Sequence, residues 1–212
     1  MAPASKTDEP IKLYRLPEEV VAVEIEGATP LIPHRWSEKS LRLMRDKQTG
    51  ATASSTRNRD PKVPEREAYD SCYWLKVETP GGVKEVGAMP APAFKAAIVG
   101  GARFFESLSM AAAKSLFYVE GEGPDQLVPI AGNWIIREDT PRNASGVADL
   151  RYRMMFGLPW SATLHIRYIP TQIDPESILN LVDAGGRGGV GDWRPSSPKS
   201  HTGSYGQFRV CG

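Results

Sequence analysis

Residues 185–210, GGRGGVGDWRPSSPKSHTGSYGQFRV, constrain the fold of this chain more than any other stretch. Seven of them are glycine, and five of those (Gly185, Gly186, Gly188, Gly189 and Gly191) fall within seven positions. Glycine at that density marks backbone at positive φ, or backbone that something else approaches closely. The segment is therefore a shaped loop, and its flanks are regular. Residues 174–184 (DPESILNLVDA) read as a helix, with Asp174 as N-cap, Pro175 at the first helical position, and Ile178, Leu181 and Val182 on one face. Gly185 is expected to stop it. In residues 161–169, Ala162, Leu164, Ile166 and Tyr168 alternate with Thr163, His165 and Arg167, the period of a half-buried strand. Another strand is expected from Tyr205 to Cys211, so the C-terminal third is strand, helix, glycine loop, strand.

Upstream, Val21, Val23 and Ile25 alternate in a first strand over residues 20–26, which Gly27 ends. Ser37 is an N-cap for a basic helix carrying Leu41 and Met44. Residues 48–67 (QTGATASSTRNRDPKVPERE) hold almost no apolar side chain and read as a long flexible excursion. A strand is expected over residues 68–78 and a short partner over 83–87. From Pro92 a helix follows in which Phe94, Ala97, Ile98, Gly101 and Phe105 recur at helical spacing, with Lys95 and Arg103 on or near its polar side. Gly100 and Gly101 weaken that helix by about 1 kcal/mol each, which points to a close contact with a neighbouring element. Strands are then expected at 116–119, 127–130, 134–137 and 147–153.

Helices interleaved with antiparallel strands and short connections predict an α+β fold. The nearest arrangement is a modified ferredoxin-like or RNA-recognition-type fold, with an antiparallel sheet, helices on one face and the long flexible insertion. A chain of 212 residues fits one such domain over residues 20–212, preceded by a tail over 1–19. No run of apolar residues suits a membrane span, and the first residues lack a secretory signal. Cys72 and Cys211 show no metal-ligand or disulfide spacing. A cytoplasmic protein with neither metal nor cofactor is expected. Net charge is +1, but residues 35–66 hold nine Lys/Arg against four Asp/Glu. That surplus, which includes Arg35 and Arg42, either faces water or meets an anion.

Three stretches together resemble the RAMP superfamily, the repeat-associated proteins that form the backbone of CRISPR effector complexes and process their guide RNAs. EIEGATPLIPHR at 24–35 is similar to the family's first strand and the turn after it. MPAPAFKAAIVGGAR at 89–103 resembles its proline, small residue, basic residue and helix signature, with Lys95 and Arg103 in place. Residues 185–210 resemble its C-terminal glycine loop and last strand. GVGDWRP with GSYGQF also resembles uncharacterised bacteriophage-encoded proteins, so the setting implied is a bacterial host or a phage-infected cell. The resemblance implies a backbone-type subunit that lines up as a homo-oligomer along single-stranded RNA or DNA.

The residues of the loop support phosphate contact on their own. N–H groups of Gly188, Gly189 and Gly191 can form an anion-binding concavity, with Arg187, Arg194, Lys199 and Arg209 beside it. Trp193 and Tyr205 can each offer a face to a base, and Trp193 alternatively pins the loop to the core. No phosphate loop of nucleotide-binding type occurs, and GRGGVG follows a helix, which excludes the dinucleotide fingerprint. A metal-independent ribonuclease of RAMP type would draw on His34 or His201 as acid or base. Catalysis is not expected. Two other readings remain: a phage recombination or annealing protein, and a virion-type assembly protein whose loop meets only protein.

Overall fold

The computed structural model describes residues 12–50, 61–141, 146, 148–198 and 202–212. Residues 51–60 of the expected excursion, Lys199 and His201 lie outside the described residues, as do the first eleven residues of the tail. In chain order the elements are β1 (Glu19–Gly27), α1 (Glu38–Thr49), α2 (Pro64–Asp70), β2 (Tyr73–Thr79), β3 (Gly82–Pro90) and α3 (Ala91–Gly101). A 3-10 turn at Ala102–Phe104 leads to α4 (Met110–Leu116), β4 (Phe117–Glu120), β5 (Leu127–Pro129), β6 (Ala131–Asp139), β7 (Arg151–Tyr168), α5 (Pro175–Gly186) and β8 (Phe208–Val210).

The fold is α+β with antiparallel strands in two sheets. One runs β4-β7-β1-β8, with β6 also paired to β7, and the other runs β2-β3-β5. The long strand β7 joins two segments that read as separate strands in the sequence. It pairs with β6 over residues 151–161 and with β1 and β4 towards its end, so partners at both ends carry it through Gly157 and Pro159. Both residues ordinarily interrupt a strand. The alternation read from its second half holds: Ala162, Leu164, Ile166 and Tyr168 are buried, while Thr163, His165 and Arg167 are exposed.

The buried face of this sheet meets α3 and α5, and Phe94, Ile98, Ile178, Leu181 and Val182 join Val23, Ile25, Leu164 and Ile166 in one core. Both expected caps form. Ser40 N–H donates to Ser37 Oγ at 3.2 Å and Ser177 N–H to Asp174 Oδ1 at 2.8 Å, contacts worth about 1 kcal/mol each. The opposite face is polar, with Arg167 paired to Glu120 and Glu18.

Other elements also differ from the sequence reading: the helix expected to carry Phe105 ends at Gly101, and Phe105 is extended. Residues 64–70, expected partly in the excursion and partly in a strand, form α2, started by Pro64 with Glu65 and Glu67 in the first turn. Its Ala68 is buried and Ser71 Oγ accepts from Met154 N–H, which docks the helix on β7. The helix α5 does not stop at Gly185 but runs through Gly186, with Arg187 as a right-handed C-cap. Cys72 is a packing residue, its thiol pushed up to about 11 by desolvation. No helix among the described residues is long and apolar enough to cross a membrane.

Candidate nucleic-acid groove

A cavity of about 650 Å³ opens between α3, the 3-10 turn and the glycine loop that follows α5. Its floor is the stripe Ala93, Ala96, Ala97 and Gly100 of α3, three and four residues apart and therefore on one helix face. Their small side chains leave a shallow apolar trough. Arg103, Arg187 and Arg194 stand along it, with Asp192 and His34 among the other lining residues.

Two of these arginines, Arg103 and Arg194, are aimed by bonds to the chain's own carbonyls. Arg103 Nε donates to Gly100 O at 2.8 Å and Arg194 Nη1 to Gly191 O at 2.8 Å, bonds that aim the guanidinium groups without neutralising them. Among the described residues none of the three has a carboxylate partner, whereas Arg137, Arg153, Arg167 and Arg209 are all ion-paired. An unpaired, aimed guanidinium is ready to take a phosphate oxygen in a bidentate contact. A second cavity, of about 630 Å³, is lined by Glu24, Glu26, Glu120 and Glu122. Arg209 pairs with Glu26 and Arg167 with Glu120, which leaves Glu24 and Glu122 to repel a polyanion, so electrostatics favours the first cavity.

A network behind the loop fixes its shape. Arg137 and Arg153 are direct cross-strand neighbours on β6 and β7. Their guanidinium carbons lie 5.1 and 5.5 Å from the centre of the Trp193 ring. Arg137 also donates to Tyr205 Oη at 2.6 Å and to Asp139 at 2.8 Å, and Tyr205 sits edge-on to Trp193. Arg153, almost wholly buried, pairs with Asp192, whose N–H donates to Ile32 O. Charge and aromatic packing thus hold Asp192, Trp193 and Tyr205 against the β6–β7 face.

Of the expected binding residues, Arg103, Arg187, Gly188, Gly189, Gly191 and Arg194 come together at this groove. The physical role of the glycines is different from that expected. Gly188 and Gly189 N–H groups donate to Gly185 O and Gly186 O, so they are not turned towards a ligand. Gly189 is required by geometry: its φ is +69°, and a Cβ there would lie 2.9 Å from Tyr205 O. Trp193 pins the loop, the second of its two alternatives, and Tyr205, expected as a stacking face, instead holds Arg137 and Trp193. Lys95 is not in the groove. Its ammonium lies 3.9 Å from the centre of the Tyr118 ring, and desolvation lowers its pKa. Arg35 approaches the Tyr73 ring at 5.9 Å, and Arg42 is exposed on α1.

Arg137, Arg153, Asp139 and Asp192 are absent from the sequence reading. Arg137 and Arg153 each sit in an apolar strand beside hydrophobic neighbours, and that pattern was the available signal. His34 Nδ1 lies 3.5 Å from Asp192 Oδ2. Desolvation lowers its pKa, Asp192 opposes this, and Arg153 and Arg151 add to the lowering, so the imidazole is neutral at pH 7.

No family model and no curated protein matches the sequence. Two solved structures are similar to this chain. One is a cryo-EM structure of the type III-B Cmr-beta bound to cognate target RNA, at 15% identity over 92% of this chain, with a TM-score of 0.47. The chain spans 59% of that structure's matched chain. The other is the crystal structure of Cmr6 from Pyrococcus furiosus, at 11% identity over 93% of this chain and 100% of that one, with a TM-score of 0.38. Both are type III-B CRISPR subunits of the RAMP family, the family that the three sequence stretches resemble. At these low TM-scores the likeness says nothing of this chain's site.

Proposed function

We propose that the protein binds single-stranded nucleic acid in the groove between α3 and the glycine loop, and that copies line up side by side along the strand. The observation that carries this is the set of three unpaired guanidinium groups, Arg103, Arg187 and Arg194, around an apolar trough. Phosphates meet the arginines, and bases lie against the alanine floor, which carries no hydrogen-bonding group to read them. Binding is therefore backbone-led and weakly dependent on sequence. The strand is guide RNA in a RAMP-like assembly or single-stranded DNA in a phage-infected cell, and the resemblance of the three stretches to the RAMP superfamily favours RNA. A phage annealing protein would use the same groove.

The role is binding without catalysis. Acid–base cleavage of RNA needs two proton-transferring groups at the reacting phosphate. Among the described lining residues His34 is the one group that titrates near neutrality, and Arg153 already neutralises the neighbouring Asp192. The test is a labelled single-stranded oligonucleotide titrated at several salt concentrations. Replacing Arg103, Arg187 and Arg194 together by alanine should flatten the slope of log affinity against log salt by about 2, at about 0.7 for each phosphate that an arginine neutralises. An unchanged slope would remove the groove as the binding site, and a wild-type protein that binds no oligonucleotide would leave the assembly reading in its place.

A further inference from the structure

Among the described residues, the helix α1 packs little of its surface on any other element. None of its described side chains is buried, Leu43 is 52% and Met44 38% exposed, and Arg42, Arg45 and Lys47 surround them. A helix of 12 residues is marginal in water and ordinarily gains its stability by packing an apolar face. Its apolar and basic surface instead stands free on the monomer.

A second surface of the same chain has the opposite charge. The pairing of β6 with β7 sets Trp134 beside Phe156, Ile136 beside Met154 and Glu138 beside Tyr152, all on the face where α2 packs. Trp134 meets Trp74 edge-on at 6.3 Å, and Trp74 stacks on Tyr69 of α2 at 4.4 Å. Tyr69, Trp134 and Ile136 remain exposed, between about a third and two fifths of each. Carboxylates rim them. Glu138 is the cross-strand neighbour of Tyr152, and Glu65 and Glu67 lie in the first turn of α2, which packs on β6 and β7. Among the described residues β6 pairs only with β7, so its other edge is open.

We propose that α1 of one copy docks on the Tyr69–Trp134–Ile136 face of the next, with Arg42, Arg45 and Lys47 meeting Glu65, Glu67 and Glu138. This names the two surfaces behind the side-by-side arrangement proposed above and rests on that reading. The occupant is a second copy because each surface supplies the charge and the apolar side chains that the other lacks. Donor and acceptor are different surfaces, so the contact is head to tail and repeats without closing. Arg42 then serves protein contact and not the groove.

Sedimentation of the full chain, freed of nucleic acid by nuclease, tests this apart from strand binding: its failure leaves the salt slope of the groove untouched. Wild type should self-associate with rising concentration. Arg42→Glu with Arg45→Glu on the helix, or Glu65→Lys with Glu67→Lys on the face, should each weaken association more than about tenfold. Leu43→Ser, which changes no charge, should act in the same direction. Arg42, Leu43 and Arg45 are exposed, so the helix variants should melt near wild type; Glu67 is half-buried in the first turn of α2, so the face variant is read on protein shown to be folded by its melting transition. The decisive arm is a mixture of the helix variant with the face variant. Each keeps one intact surface, and the two reversed surfaces again carry opposite charges, so the mixture should regain the association that each variant alone has lost. A wild type that stays monomeric, variants that associate like wild type, or a mixture that stays monomeric would each overturn the proposal.

Discussion

A Cβ built on Gly101 would lie 2.6 Å from the backbone nitrogen of Gly185, and one built on Gly185 would lie 2.7 Å from Ile98 Cα. The helices α3 and α5 therefore touch backbone to backbone, and this contact sets the width of the groove that both help to line. Gly185→Ala should force the helices apart and cost about 1–3 kcal/mol, read as a melting temperature lower by about 2–4 °C for each kcal/mol. Gly100→Ala is the control. Only the flexible end of Arg103 comes near it, at 3.5 Å, so relief of the helix penalty should raise the melting temperature slightly. Equal effects at the two positions would mean that the close approach does not govern packing.

Arg153 is the buried anchor of the loop. Arg153→Ala leaves Asp192 without its cation and Trp193 without one of its two arginines. Asp192 is partly exposed, which discounts the roughly 3–5 kcal/mol of a fully buried pair to about 2 kcal/mol. Residues 187–198 should become accessible to protease in the variant while the rest of the chain stays intact. Uniform cleavage throughout would show that Arg153 supports the whole sheet instead.

His34 should make stability depend on pH. Its folded pKa lies below its ordinary value of 6.5, chiefly by desolvation. In the interval between the two values the unfolded chain binds more protons, so its contribution is fully present above 6.5 and is lost as pH falls through 6.5 towards the folded value. Wild type should thus lose more melting temperature than His34→Gln between about pH 7.5 and about pH 5.5. A nearby phosphate favours the protonated ring, so oligonucleotide binding should tighten over the same interval in wild type and not in the variant. Identical profiles for the two proteins would exclude His34 as the titrating group.

The sequence carried those parts of the fold that depend on local rules. The caps Ser37 and Asp174 and the alternation from Ala162 to Tyr168 were legible because each depends on neighbours within a few residues. The helix α2 was hidden because charge and proline dominate PEREAYD, and its single buried residue, Ala68, gives no periodic signal. The continuity of β7 was hidden because Gly157 and Pro159 read as breaks until partner strands are known. At the site, glycine density located the loop and Arg187 and Arg194 marked its charge. What escaped was long-range: Arg137 meets Tyr205 across 68 positions and Arg153 meets Asp192 across 39. Gly188 and Gly189 looked like anion-binding donors because sequence spacing does not reveal that their N–H groups close the end of α5.

The central claim is that the trough over α3 holds the strand, and filling it tests this without touching any cation. Ala96 lines the floor with its side chain exposed, so Ala96→Trp should occupy the trough while leaving the melting temperature close to wild type. Affinity for a labelled single-stranded oligonucleotide should then fall by at least about tenfold, equivalent to about 1.4 kcal/mol of binding free energy. Binding at the wild-type affinity by a folded Ala96→Trp protein would contradict the account.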